Sequence, residues 1–211
     1  MAATQPKTVT PPAPAPDSTL RHLVTATLFT AVSVVLLGLI YPLVVWLLAT
    51  VLFHNQAAGS LIEDNGKLIG SSLVGQLFTK PQYFHGRPSA AGKGYDPTQT
   101  GGTNLGPTSK KLISTTRDAV AALRKENPEA LGPIPPDLVT SSGSGIDPDI
   151  SPDAAFFQVA RVAKARALPV ERVRALVESQ IIPRQFGIFG EPRVNVLALN
   201  RALDAQSDIK K

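Results

Sequence analysis

Between Leu23 and Phe53 the chain reads LVTATLFTAVSVVLLGLIYPLVVWLLATVLF, 31 residues without a charge, nineteen of them Leu, Ile, Val or Phe. A helix needs about 20 apolar residues to cross a bilayer core. Each large aliphatic or Phe side chain gains roughly 0.3–0.6 kcal/mol at the centre of a span. A core helix of a soluble domain would carry a polar face, which this run lacks. A cleavable signal has an apolar core of about 7–15 residues, much shorter than this one. The run therefore predicts one permanent membrane span. Pro42 lies inside it, removes one backbone donor and predicts a kink that packs on a partner helix.

Lys7, Arg21 and Asp17 precede the span, and the 20 residues after it hold Lys67, Glu63 and Asp64. The excess of positive charge before the span predicts a cytoplasmic amino terminus at the inner membrane, with residues 54–211 extracytoplasmic. The first 22 residues hold five prolines and little that could pack, which predicts a disordered cytoplasmic tail. Three segments result: a tail over 1–22, a transmembrane helix over 23–53 and a soluble domain over 54–211.

The chain has no cysteine, which removes disulfides, thiolate nucleophiles and cysteine zinc sites. Its formal charge of +5 and isoelectric point near 9.6 raise the question of nucleic acid. Residues 54–211 answer it: 19 Lys and Arg stand against 15 acids, interspersed along the chain, without the basic cluster that phosphate binding needs. His22, His54 and His85 are the only histidines, too few for a histidine zinc centre. They also leave a single candidate base away from the membrane flanks, so no hydrolase triad is expected.

After the span, short apolar runs around Asn65-Gly66 predict a hairpin with strands near 60–63 and 67–77. Thr108 or Ser109 can cap a helix that ends before Pro128 and aligns Leu112, Val120 and Leu123. Ser151-Pro152-Asp153 reads as N-cap, first-turn proline and first-turn acid of a second helix, with Phe156, Val159, Ala160 and Ala163 on one stripe. A third helix is expected over roughly Val170 to Ile182, with Val170, Val173 and Val177 aligned. A fourth over Asn195 to Asp204 aligns Val196, Leu199 and Leu203. The fold class is α+β: an amino-terminal transmembrane helix, then a small soluble domain of short strands and about four helices.

Two glycine-rich stretches invite a phosphate reading. In GRPSAAGKGYDPTQTGGTNLGPTSKK, Gly86, Gly92, Lys93 and Gly94 approach a phosphate loop, but five residues separate the first two glycines and Gly94 stands where a metal-binding hydroxyl belongs. In TSSGSGID, Ser142, Gly143, Ser144 and Gly145 resemble the Gly-Ser loops that offer backbone N–H groups to nucleotides. The helix starting at Pro152 would lend its positive end and Gln158 a polar contact. Asp147, Asp149 and Asp153 could chelate a cation, but lack a calcium loop's central glycine and closing glutamate. Turn and cap roles fit them better.

Taken together, FHGRPSA, GYDPTQTGGTNLGPTS, DLVTSSGSGIDPDISPDAAFFQVARVAKAR and GEPRVNVLALNRALD resemble the C subunits of Kdp potassium-transporting ATPases, over residues 20–205. The resemblance implies a non-enzymatic subunit of a high-affinity potassium uptake pump in the inner membrane. Its implied partners are a channel-like potassium-translocating subunit, a P-type ATP-hydrolysing subunit and a small single-span peptide. The family is described as a catalytic chaperone that raises the ATP affinity of the hydrolysing subunit. That description makes Ser142 to Gly145 and Gln158 nucleotide-facing, with ATP shared and no cofactor held firmly. The topology reading places those residues outside the cytoplasm, where a role in stabilising the complex and shaping ion uptake fits better. On that reading Pro42, Arg87, Asp96, Gly102, Asn104 and Gly106 fix the loops and the partner contacts. Thr103 stands where the family loop often has serine, and keeps the hydroxyl.

Overall fold

A computed structural model describes residues 18–64 and 66–208. Most of the expected tail and Asn65 of the expected turn lie outside the described residues. The chain divides into two compact units, one ending at Ala57 and one beginning at Ala58.

The first unit is a helix continuous from Thr19 to Leu52, with none of its most apolar window buried. It comprises α1 (Thr19–Ser33), a π-helical stretch (Val34–Ile40) and α2 (Tyr41–Leu52), followed by a single turn, α3 (His54–Ala57). The π stretch is the chain's response to Pro42. A proline has no N–H for the carbonyl four residues back, and its ring collides with that carbonyl. Widening the ladder relieves the collision: the Tyr41 N–H bonds the Leu36 carbonyl, five residues back. Where the sequence predicts a kink, the helical hydrogen bonding runs on through a wider turn.

The second unit mixes helices and short strands. Its hairpin pairs β1 (Leu61–Asp64) with β2 (Lys67–Ser71). The second strand ends well before residue 77, because the Ser71 hydroxyl accepts the Leu73 N–H at 3.1 Å and turns the chain. A long irregular stretch leads to α4 (Lys110–Glu126), where Ser109 accepts the Leu112 N–H at 3.4 Å as N-cap. After a 3-10 turn (Pro136–Leu138) come β3 (Asp149–Ile150), α5 (Pro152–Arg166), α6 (Val170–Ser179), β4 (Ile181–Ile182), β5 (Arg193–Asn195) and α7 (Val196–Asp208). Ser151 caps α5 by accepting the Ala154 N–H at 3.1 Å.

Helix α6 is shorter than its pattern predicts. Ile181 and Ile182 leave it to pair with Val194 and Arg193, building the antiparallel sheet β3-β5-β4. The core lies between that sheet and three helices: Val159, Val162 and Ala163 of α5, Val173 and Val177 of α6, and Leu199 and Leu203 of α7 are buried with Ile150, Val194 and Phe84. The helical stripes read from the sequence supply Val159, Ala163, Val173, Val177, Val196, Leu199 and Leu203 of it, while Val120 and Val170 stay exposed.

Candidate functional site

The two glycine-rich loops form a single ordered body. The Gly101 N–H donates to the Ser144 carbonyl at 2.8 Å, the Gly75 N–H to the Ile146 carbonyl at 2.9 Å, and the Ser89 hydroxyl to the Gly145 carbonyl. That hydroxyl also accepts the Tyr95 N–H at 2.8 Å. Gly145 has φ +72°, and a Cβ there would lie 2.6 Å from the Gly101 carbonyl oxygen, so no other residue fits. A Cβ on Gly102 would meet the Gly143 and Ser142 backbone at 3.2–3.3 Å. Tyr95 seals the far side, its hydroxyl donating to the Arg87 carbonyl at 2.7 Å. Burial, with Asp147 nearby, pushes its phenol up to about 12.

The remaining loop residues are placed by local chemistry. Arg87 Nη1 pairs with Asp147 at 3.0 Å. Asp96 accepts the Thr98 N–H at 2.9 Å and hydroxyl at 2.7 Å, which hold its carboxyl below its ordinary value. Asn104 adopts left-handed φ +51°, and the Gly106 carbonyl receives the Ser109 N–H at 3.0 Å ahead of α4. Pro42 is the second residue of α2 in the other unit.

Among the Ser-Gly residues, Ser142 and Gly145 are buried while Gly143 and Ser144 are exposed. The Gly145 N–H donates to the Ser142 hydroxyl at 2.9 Å and the Ile146 N–H to the Ser144 hydroxyl at 3.3 Å. Those donors thus point at the loop's own serines. Gln158 sits in the second turn of α5, 1% exposed. Its Oε1 accepts the His85 N–H at 2.8 Å and Arg161 Nη2 at 2.7 Å; its Nε2 donates to the His85 carbonyl at 3.0 Å and the Ala154 carbonyl at 3.1 Å. Every hydrogen-bonding position of the amide is occupied within the chain.

Next to it lies a residue that the sequence pattern does not single out. Asn200 of α7 accepts the Phe84 N–H at 2.8 Å and donates to the Phe84 carbonyl at 3.0 Å. Two buried amides thus clasp consecutive residues of one extended segment, as neighbouring strands would. Arg161 adds bonds to the Pro81 and Tyr83 carbonyls at 2.6 and 3.0 Å, and Arg166 lies over the Tyr83 ring at 4.9 Å. Phe84 is the apolar plug between them. A polar residue on the inward stripe of α7 is the signal that could have exposed this role. The His85 ring meets the Lys80 carbonyl at 3.1 Å and Glu126 at 3.7 Å. Burial, with the Arg161 charge, holds it below its ordinary value nonetheless.

A groove of about 1330 Å³ runs beside this body, lined by Arg87, Asp147, Asp149, Asp153, Phe156 and Arg193 among others. Two of these carboxylates are engaged: Asp147 with Arg87 and the Asp149 N–H, Asp149 with Asn195 Nδ2 at 3.1 Å and Arg193 at 2.9 Å. Burial pushes Asp149 above its ordinary value against those partners. Among the described residues no three acidic or histidine side chains come together as metal ligands.

The family model described as "KdpC: K+-transporting ATPase, c chain" matches residues 23–205. The chain is 55% identical over 188 residues to a potassium-transporting ATPase KdpC subunit of Caulobacter vibrioides strain NA1000 / CB15N, covering 89% of this chain and 94% of that one. It is 52% identical over 185 residues to the like-named subunit of Koribacter versatilis, covering 87% and 94%. A third, from Acidobacterium capsulatum, is 53% identical over 187 residues, covering 88% and 98%.

Proposed function

The chain belongs to the KdpC family, the c chains of K+-transporting ATPases, and from that premise we propose that it is a non-catalytic interaction subunit with an extracytoplasmic soluble unit. Its span anchors it in the inner membrane. The loops around Arg87, Asp96, Gly102, Asn104 and Gly106 hold a docking surface for a potassium-translocating subunit, with a P-type ATP-hydrolysing subunit and a single-span peptide completing the complex. Through that contact it stabilises the pump and shapes the path of ion uptake.

The observation that carries this reading over a nucleotide-binding one is the saturation of Gln158. A nucleotide contact would have to displace the His85 backbone or Arg161 from a buried amide, leaving groups unpaired at about 1–3 kcal/mol each. The inward bonds of the Gly145 and Ile146 N–H groups weigh the same way. ATP binding shared with the hydrolysing subunit keeps one favourable feature, the exposure of Gly143 and Ser144.

Topology separates the two. The chain has no native cysteine, so Ser144→Cys is a unique thiol. A membrane-impermeant thiol reagent should label it in intact cells. Labelling only after permeabilisation would sink the extracytoplasmic reading and restore the nucleotide role.

A further inference from the structure

Residues 183–192 of the soluble unit, PRQFGIFGEP, form a finger that exposes Phe186 at 82%, Ile188 at 71% and Phe189 at 63%. Scattered surface apolar residues are ordinary, but three large ones on one turn mark a site of interaction. The finger has defined geometry. Gln185 and Phe189 exchange both backbone hydrogen bonds, at 2.9 and 3.0 Å, and the Gly187 N–H donates to the Arg184 carbonyl at 3.0 Å. An Arg184–Glu191 ion pair closes the base. Phe186 holds φ +54°, a left-handed conformation that side-chain-bearing residues rarely adopt. The turn therefore presents its apolar side chains in spite of strain, with nothing of this unit covering them.

We propose that this finger is an anchor that inserts into an apolar pocket on another protein subunit of the ATPase. The proposal rests on the reading of the chain as an interaction subunit. Charge decides between protein and lipid as the occupant. A loop that settles into an anionic bilayer surface relies on free Lys or Arg beside its apolar residues. Here Arg184 is paired with Glu191 and Arg193 with Asp149, so the base is neutralised. A preformed turn also suits a shaped protein pocket, because little conformational freedom is lost on docking. Aromatic side chains are enriched at the centres of such interfaces.

Area sets the finger's share. A buried Phe brings about 150–250 Å², so two of them with Ile188 fall short of the roughly 800 Å² per partner of a stable interface. The finger is thus one part of a larger footprint. Gly190, Glu191 and Pro192 of its stem line the groove described above, together with Leu131, which is 94% exposed. Finger and groove form one continuous face.

The test uses Ile188→Cys as a single thiol in the full chain, co-expressed with the other ATPase subunits and purified with them; Glu178→Cys, at an exposed position, is the reference. Alkylation by a polyethylene-glycol maleimide should be at least tenfold slower at position 188 in the complex than in the chain alone in lipid nanodiscs, and unchanged at position 178. Phe189→Cys should repeat the result. Equal rates at position 188 in a chain that co-purifies would overturn the anchor alone. Slow alkylation already in nanodiscs without other subunits would assign the finger to lipid and overturn it as well. Failure of the unsubstituted chain to co-purify would remove the interaction-subunit reading itself.

Discussion

At the scale of single residues, the buried amides Gln158 and Asn200 carry the most. Each satisfies a donor and an acceptor of a backbone segment with no strand beside it. Truncation leaves both backbone groups enclosed and unpaired, so Gln158→Ala and Asn200→Ala should each lower stability by about 2–4 kcal/mol in denaturant unfolding of the full chain in detergent. Ser144→Ala, at an exposed position, should stay within about 0.5 kcal/mol. Were Gln158 a nucleotide contact first, its loss would leave the unfolding midpoint unchanged and weaken ATP binding alone. The sequence does reveal Ser109 and Ser151, because a cap bonds a backbone group three residues away. It hides the amide clasps, whose partners lie 73 and 116 residues off.

Among the elements, helix ends show how local signals and distant packing divide the work. Helix α5 closes on Ala167 at φ +52°, with the Leu168 N–H reaching back to the Ala163 carbonyl at 2.9 Å. Glycine takes this left-handed position without the roughly 1–2 kcal/mol that alanine incurs. It gives back about 0.5–1 kcal/mol through its freer unfolded chain. Ala167→Gly should therefore raise stability by about 0.5–1 kcal/mol, read as a higher thermal midpoint; a lower one would mean the Ala167 methyl packs productively. Apolar stripes at helical spacing make α5, α6 and α7 legible in sequence. Strands β3, β4 and β5 are not, since two or three residues carry no period, and the isoleucines of β4 extend the α6 pattern until pairing with β5 claims them.

For the whole molecule, the long apolar helix is the most legible feature, and the second unit's dependence on pH among the least. His85 is enclosed by the fold, and burial and Arg161 hold its folded value below the ordinary 6.5. The unfolded chain then takes up a proton more readily than the folded one, so stability is fully present above pH 6.5. It is lost as pH falls from there through the lowered folded value. Denaturant midpoints between pH 8 and 5 should drop on the acid side, and His85→Asn should flatten that limb; an unchanged slope would show that other groups set it. The clasp around Phe84 also has a consequence in time. Asn200 follows Phe84 by 116 residues, and a ribosome working from the amino terminus delivers it that much later. At about 5–20 residues per second the delay is on the order of ten seconds. The long apolar helix of the first unit is complete before Phe84 is even made, and the Phe84 segment then waits, unlatched, until the last helix follows.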